Sequence, residues 1–290
     1  MNELDCIFIT NDDGISDGLK SLITYLHEFE IPLLVIVPDE NKSASSMSIT
    51  LREKMKLSKN IELEDKLKKG HAPLSIFTLS GTPTDCSLFV DFAKGTKLLE
   101  GLNPIFAISG INHGANLSHD VFHSGTVGAA RQTAMNGLPS IASSYCDYTG
   151  SKISIAAKLT ADLCKKMWIG SDEEGTLKKL FYEGKIFLNL NIPPAWNGIL
   201  KYGTLGIRDY ENALVLESID SLNETNVSFD GPNIVEENIL GTDVEQINSN
   251  FASISLIPTW PYSHKRFPEK DVLNKLDEIN SMDELIWIRF

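Results

Sequence analysis

This chain lacks the features that mark exported, membrane-spanning and zinc-binding proteins. No apolar stretch approaches the roughly 18 residues that a membrane span requires. The first ten residues, MNELDCIFIT, are acidic where a signal peptide would be basic. The cysteines lie far apart and form no CxxC pair for zinc or dithiol chemistry, at Cys6, Cys86, Cys146 and Cys164. We therefore expect a cytoplasmic protein with reduced thiols and no membrane partner.

Positive charge is also scarce. The chain has 26 Lys and Arg against 39 Asp and Glu, a formal net charge of −13. Because nucleic-acid polymers are bound mainly through cationic contacts to phosphates, we expect no such partner. A small phosphate ester can still be bound by a metal ion, a helix N-terminus or a cluster of backbone N–H groups.

Two common phosphate-binding signatures are missing. The chain contains no GxxxxGK[ST] motif of a P-loop. The segment after the first apolar run reads NDDGISDG, where a dinucleotide-binding protein would have GxGxxG. An acidic pair at this place would repel a pyrophosphate, which argues against an NAD-dependent oxidoreductase.

The first half of the chain alternates strand and helix patterns, which predicts a doubly wound α/β fold with a mostly parallel sheet. Asp17 is expected to cap the first helix. Buried strands are predicted at 6–10, 31–37, 75–79, 104–108 and 140–144. Helical spacing of apolar residues from Leu19 to Phe29 predicts the first helix, and further helices are predicted at about 124–136 and 152–168.

After about residue 190 the pattern changes to short apolar runs between polar turns, typical of hairpins. The runs are YGTLGI, ALVLESI and ASISLI. We therefore divide the chain into a catalytic core at 1–190 and a smaller β-rich extension at 191–290. A terminal helix is predicted at 269–279, followed by an apolar tail at 285–290 that packs on its own core or on another subunit.

Polar segments follow several predicted strands. In an open parallel sheet, ligands bind beyond the carboxyl ends of the strands, so the fold should gather these segments at one edge. They are Thr10 to Gly14, Pro38 to Ser46, Ser80 to Asp85, and Ser109 to Asn116.

The first of these segments contains adjacent carboxylates, Asp12 and Asp13. Asn-Asp-Asp-Gly is good turn chemistry, and a solvated turn is one interpretation. The pair also ends a buried strand, where adjacent charges are costly unless a cation compensates them. Carboxylate, amide and hydroxyl oxygens suit Mg²⁺ or Mn²⁺ better than zinc.

A run of small residues, Ser124 to Ala130, opens the predicted helix at 124–136. Glycine lets a ligand approach the backbone, and the first N–H groups of a helix have no internal partners. The run is either a phosphate cradle or a closely packed, capped helix start.

Taken together, these motifs resemble the SurE family, the survival-protein E nucleotidases, in unbroken order from about residue 5 to 258. The motifs are Asn11 to Gly14, Pro38 to Ser43, Ser48 to Leu51, Gly81 to Cys86, Ser109 to Asn116, Ser124 to Ala130, Asn189 to Pro193, and Thr242 with Asp243.

The resemblance implies a Rossmann-like three-layer core and hydrolysis of nucleoside monophosphates with one divalent ion, Mg²⁺ or Mn²⁺, per subunit. It implies 5′-nucleotidase activity, and the sequence leaves open whether 3′-nucleotides and short polyphosphates are also hydrolysed. It also implies homodimers or homotetramers. Carried over by position, the metal ligands are Asp12, Asp13, Ser43 and Asn112. The phosphate and substrate contacts are Asn11, Asn116, Ser124, Gly125 and Thr126.

In this hypothesis Asp12 or Asp13 orients or deprotonates the attacking water, and an aspartyl-phosphate route is the alternative. An inactive binding module that keeps the fold is the other functional reading. Departures from the family pattern include His123 beside the phosphate run, where a Tyr is usual. His123 and His113 lie near the expected site, and either a structural or a proton-transfer role is open.

Overall fold

The computed structural model of the protein describes residues 3–169, 176–221 and 224–268. The strands are β1 (Leu4–Thr10), β2 (Leu33–Pro38), β3 (Leu57–Lys59), β4 (Leu74–Leu79), β5 (Leu102–His113), β6 (Ser140–Tyr145), β7 (Ile186–Ile192), β8 (Leu200–Tyr202), β9 (Ile207–Glu211), β10 (Leu214–Ser221), β11 (Glu224–Phe229), β12 (Asn233–Glu237) and β13 (Ala252–Pro258). The helices are α1 (Asp17–Glu28), α2 (Ile61–Leu67), α3 (Pro83–Ala93), α4 (Asp120–His123), α5 (Gly125–Met135), α6 (Ile153–Ile169), α7 (Thr176–Tyr182) and α8 (Asp243–Asn248), with a 3₁₀ turn at Lys97–Leu99.

The predicted α/β fold is confirmed. A nine-stranded sheet has the order β3-β4-β2-β1-β5-β6-β7-β13-β8. The six strands in the middle of this order, which are β4, β2, β1, β5, β6 and β7, run parallel to one another. β3 and β13 run antiparallel to their neighbours β4 and β7. The strand order reverses between β1 and β5, which makes the carboxyl ends of these two strands the expected ligand site.

Helices cover both faces of the sheet, which gives three layers. Side chains of β1 alternate between the two faces, as the period of a strand requires. Ile7 and Ile9 belong to the apolar cluster that contains the buried face of α1. Cys6 and Phe8 belong to the opposite cluster, with residues of α3. The two faces of the sheet are therefore covered by separate apolar clusters.

Strand β5 is longer than the sequence predicted. The apolar pattern ends at Ile108, but the strand continues to His113. It lies between β1 and β6, and pairing with β6 carries it on, since His113 still pairs with Tyr145. The predicted loop at 109–116 thus begins inside the strand. This places Asn112 on a rigid element.

The predicted N-cap of α1 is wrong by one residue. Ser16 is the cap, and its hydroxyl accepts a hydrogen bond from the Leu19 N–H at 3.2 Å. Asp17 is the first helical residue and pairs instead with Lys20 at 3.0 Å. The Ser16 backbone is extended, as a cap residue requires, and its hydroxyl reaches the third N–H of the helix.

The C-terminal part divides between the main sheet and two small sheets. β10 and β11 form the hairpin expected from the run ALVLESI, and β9 pairs with β12. The run ASISLI was expected in a hairpin, and this is wrong, because it forms β13 between β7 and β8 of the main sheet. The division of the chain at residue 190 stays a prediction, and the predicted terminal helix and tail lie outside the described residues.

Within the described ranges, the helices are all too short or too polar to cross a membrane.

Candidate active site

The site forms where β1 and β5 end side by side and α5 begins. Asp12 and Asp13 come just after Asn11, the first residue beyond β1, and Asn112 is the last residue but one of β5. The first residues of α5 pack against the carboxylate of Asp12. A Cβ added to Gly125 would lie 2.9 Å from the Asp12 Cβ and 2.6 Å from the Ser45 hydroxyl. Only glycine therefore lets the helix start this close to the carboxylate.

Asp12 is the buried member of the acidic pair, at 2% exposure. Its carboxylate accepts hydrogen bonds from Thr126, from the N–H at 3.1 Å and from the hydroxyl at 2.5 Å. Burial raises the pKa of Asp12 to about 6, the charge of Asp13 adds to this, and the Thr126 bonds oppose it. Within the described residues, Asp12 forms no ion pair with Lys or Arg. Its negative charge is thus held at a cost.

Thr126 also links Asp12 to Asn112. Its hydroxyl lies 3.5 Å from the Asn112 Oδ1, while the Asn112 Nδ2 donates to the Gly114 carbonyl at 3.0 Å. That bond orients the amide, so that its oxygen faces the carboxylate side. The structure thus brings three predicted site residues together.

Asp13 is more accessible, with 12% of its side chain exposed. One carboxylate oxygen accepts from the backbone N–H of His113 at 3.2 Å and lies 3.1 Å from the His113 Nδ1. The other accepts from the Asn41 amide at 3.2 Å. Asp13 is therefore fixed between the end of β5 and the loop after β2.

Ser43 lies in that same loop and is exposed. Its N–H donates at 2.9 Å to Asn41, the residue whose amide donates to Asp13. The loop is tied to the acidic segment by a bond of 2.7 Å from the Lys42 N–H to the Asp12 carbonyl. Ser43 is thus beside the carboxylates but is joined to them through Asn41.

Two further predicted residues serve the local backbone. Asn11 is fully buried, and its amide donates to the Gly14 carbonyl at 2.7 Å, which holds the turn after β1. Ser124 is the N-cap of α5, and its hydroxyl accepts from the Val127 N–H at 3.1 Å. The predicted cradle is thus also a capped helix start, with two of its N–H groups satisfied internally by Ser124 and Asp12.

His123 precedes the cap and is exposed, and its carbonyl accepts from the Ser46 N–H at 2.9 Å. Its ring lies against that of His119, with 6.0 Å between the ring centres. His113, in contrast, contacts Asp13. Of the two histidines, His113 is the one placed beside a carboxylate.

Asn116 is held by residues far away in the chain. Its carbonyl accepts from the amides of Asn189 at 2.8 Å and Asn191 at 3.0 Å, and its N–H donates to the Asn191 side chain. Its own amide donates to Ser144 at 2.8 Å. These partners lie on β7 and β6, so the motif at 189–193 has a physical role in fixing Asn116.

A buried ionic network holds the segment that leads into α5, and sequence reasoning missed it. The Arg208 guanidinium lies 3.2 Å from the Asp120 carboxylate, and both side chains are at most about one-tenth exposed. Tyr210 donates its hydroxyl to Asp120 at 2.8 Å. The carboxylate of Asp243, which belongs to the last of the sequence motifs, accepts a hydrogen bond from the Ser118 N–H at 3.0 Å. Asp120 lies between two of the sequence motifs, and that position is a signal in the sequence. Nothing in the sequence indicates that it pairs with Arg208.

Among the residues that the structure describes, no group of three or more His, Cys, Asp or Glu is arranged to hold a metal ion. The predicted ligand set combines two aspartates with Ser43 and Asn112, so it does not depend on such a group. It is an all-oxygen set of the kind that Mg²⁺ and Mn²⁺ prefer.

The chain resembles proteins of one family in sequence and in structure. The family model of survival protein SurE matches residues 7–212. The 5′-nucleotidase SurE of Prochlorococcus marinus (strain NATL2A) is 35% identical over 213 residues, 72% of this chain and 73% of that protein. The 5′-nucleotidase SurE of Natranaerobius thermophilus is 31% identical over 259 residues, 87% and 92% of the two chains. The crystal structure of the SurE protein of Aquifex aeolicus superposes with a TM-score of 0.65 at 26% identity, covering 94% of this chain and 99% of that one. The extent of these matches, together with the site at the β1–β5 switch point, shows that this chain belongs to the SurE family.

Proposed function

We propose that this SurE-family protein hydrolyses nucleoside 5′-monophosphates to nucleoside and inorganic phosphate, with one Mg²⁺ or Mn²⁺ ion per subunit. The family places the chain among the phosphoric monoester hydrolases, and the relatives described above are named 5′-nucleotidases. The observation that carries the proposal is the arrangement at the carboxyl ends of β1 and β5. Asp12 and Asn112 both contact Thr126 at the start of α5, and Asp13 accepts a hydrogen bond from His113 at the end of β5.

The residues present fit a hard divalent cation. Asp12, Asp13, Ser43 and Asn112 offer carboxylate, hydroxyl and amide oxygens. The raised pKa of Asp12 shows that its negative charge is poorly compensated by the protein, and burial is the main cause. A cation beside it would offset that cost. When bound, the ion would supply charge neutralisation and water activation during phosphoryl transfer.

The protein groups then have separate tasks. Asp13 is the more exposed carboxylate, so it is the one placed to orient or deprotonate the attacking water. The His113 imidazole, 3.1 Å from Asp13, holds that carboxylate in position. Asn116 and the hydroxyl of Ser124 are proposed to bind phosphoryl oxygens, where negative charge must be balanced in the transition state. Thr126 donates to Asp12 and so keeps that oxygen set in place.

An aspartyl-phosphate route is the alternative, with Asp13 or Asp12 as nucleophile. Every carboxylate oxygen of the pair already receives a hydrogen bond from the protein, which favours water attack. Rapid-quench trapping with a radiolabelled nucleotide distinguishes the routes, because only the alternative forms a hydroxylamine-sensitive phosphoenzyme.

The decisive experiment is release of phosphate from a panel of nucleotides with Mg²⁺, Mn²⁺ or EDTA. We expect activity with metal, loss in EDTA, and loss in Asp13→Asn. Asp65→Asn, a change at an exposed residue of α2, is the matched control and should keep full activity. Activity that survives chelation, or survives Asp13→Asn, would refute the proposed site. A protein without activity toward any phosphomonoester would instead fit an inactive module.

Hydrolysis of 3′-nucleotides and short polyphosphates stays a prediction, and the same panel tests it. A homodimer or homotetramer also stays a prediction, which the molar mass measured by light scattering after size-exclusion chromatography tests.

A further inference from the structure

The segment between β6 and α6 presents an aromatic ring beside the site. Tyr148 lies in this segment with 74% of its surface exposed. Aromatic side chains contribute most when they are buried against a partner, and most of the surface of Tyr148 is left open. An exposed aromatic side chain by itself does not indicate a binding site. The residues on which the ring packs, and their distance from the site, are the stronger observations.

The ring of Tyr148 rests on the backbone of Gly114. A Cβ added to Gly114 would lie 2.5 Å from the Tyr148 Cε1 and 3.1 Å from its Cδ1 and Cζ. Gly114 has φ +110°, a conformation that other residues rarely adopt, and lacks the side chain that would push the ring away. The Gly114 carbonyl also accepts a hydrogen bond from the side-chain amide of Asn112, a proposed metal ligand. The ring is therefore seated two residues from that ligand and two from Asn116.

The segment that carries the ring is held on both sides. The Asp147 carboxylate accepts from the Thr149 N–H at 2.9 Å, which closes a tight turn around Tyr148. Gly150 packs on His113, since a Cβ added there would lie 2.9 Å from the His113 Cδ2. The turn therefore rests on the residue that contacts Asp13, and the ring is pre-organised at the rim of the site.

Phe122 is another exposed aromatic, just before the start of α5, and it has a different setting. The Arg131 guanidinium lies 5.8 Å from its ring centre, and the same guanidinium lies 5.4 Å from the buried Phe187. The ring of Phe122 therefore already has a cationic partner, Arg131 of α5. Tyr148 is the aromatic whose support is the strand end that carries Asn112.

We propose that Tyr148 stacks on the base of the bound nucleotide and so makes the protein prefer nucleoside phosphates to phosphate esters without a base. The inference rests on the proposed function and adds a specificity residue to it. A base presents a flat π-face, and a ring that is mostly open to solvent and held against Gly114 can receive it with little loss of conformational entropy. Because every base has such a face, this contact predicts tolerance among bases rather than selection of one.

The size of the effect follows from base–aromatic stacking, worth about 1–3 kcal/mol per base, or roughly 5- to 150-fold in affinity. Since the base is remote from the reacting phosphate, this energy acts equally on ground state and transition state. The change should therefore fall on KM and leave kcat nearly unchanged.

The test compares two esters that share the phosphorylated ribose, adenosine 5′-monophosphate and ribose 5-phosphate. The quantity measured is the ratio of their kcat/KM values in the full-length protein with Mn²⁺ or Mg²⁺. We expect Tyr148→Ala to lower this ratio by roughly 5- to 150-fold through the KM for the nucleotide. Tyr148→Phe keeps the ring and should retain the ratio. Phe92→Ala removes an equally exposed ring from α3 and serves as the matched control.

A merely structural role for Tyr148 would lower the activity toward both esters together and leave the ratio unchanged. That result would overturn the inference, as would a wild-type protein that hydrolyses both esters equally well. Failure of the wild type to hydrolyse either ester would refute the proposed function itself. The two failures are thus distinguishable by the wild-type measurement alone.

Discussion

Asp12 should make the metal-free protein less stable at neutral pH than a variant without its charge. Burial raises the pKa of this carboxyl from its ordinary value of 3.8 to about 6. A difference of about two pKa units corresponds to about 3 kcal/mol of unfolding free energy. Because the folded-state pKa lies above the unfolded one, the stability is fully present below about pH 4 and is lost as the pH rises through about 6.

In Asp12→Asn the ionisation is removed, while one of the two hydrogen bonds from Thr126 is lost at a cost of about 1 kcal/mol. In EDTA at about pH 7.5, we therefore expect the variant to be more stable than the wild type by about 2 kcal/mol. At about pH 4 the advantage should vanish or reverse, because the wild-type carboxyl is then protonated. The variant should also have lost its hydrolytic activity.

The measurement is urea unfolding of both proteins in EDTA at the two pH values, with Asp65→Asn as a control that should change little. Adding Mn²⁺ should then stabilise the wild type more than Asp12→Asn, since a ligand that binds only the folded state adds to its stability. If Asp12→Asn were less stable than the wild type by the same amount at both pH values, the reasoning about a buried uncompensated charge would be refuted.

Three further experiments test Thr126, the Arg208–Asp120 pair and the buried thiol of Cys6. Thr126→Val removes the hydroxyl that donates to Asp12, so kcat/KM for phosphate release should fall by roughly 10- to 100-fold. Thr126→Ser keeps the hydroxyl and should restore most of it. Arg208→Met leaves Asp120 buried without its cation and should cost about 3–5 kcal/mol in urea unfolding. Adding Asp120→Asn should recover part of that loss, and strict additivity would contradict the pairing. Burial raises the pKa of the Cys6 thiol to about 12, so a thiol reagent should modify it only after denaturation.

Local patterns in the sequence were enough to locate the acidic pair and its setting. A buried parallel strand is a continuous apolar run, so the end of β1 could be read directly, and Asp12 and Asp13 follow it. The start of α5 could be read from Ser124 and the small residues after it, because capping depends on neighbours in the chain. Parallel-sheet topology then placed these segments at one edge.

Strand pairing was harder to predict. An apolar run such as that of β13 looks the same in a hairpin and in a large sheet, since its periodicity carries no information about its neighbours. The length of β5 was underestimated for a related reason. Its polar end is held by pairing with β6, which acts on the backbone and does not require apolar side chains.

The sequence by itself determined the α/β class of the protein, the family and the place of the acidic pair. Each of these depends on residues that are close in the chain or on motifs in a set order. The tertiary structure alone decided how the site is supported. Asn189 and Asn191 hold Asn116, Arg208 neutralises Asp120, and Tyr148 rests on Gly114. The physical reason is that such contacts depend on distance in space and on side-chain direction, and folding sets both only after the sheet and its helices have packed.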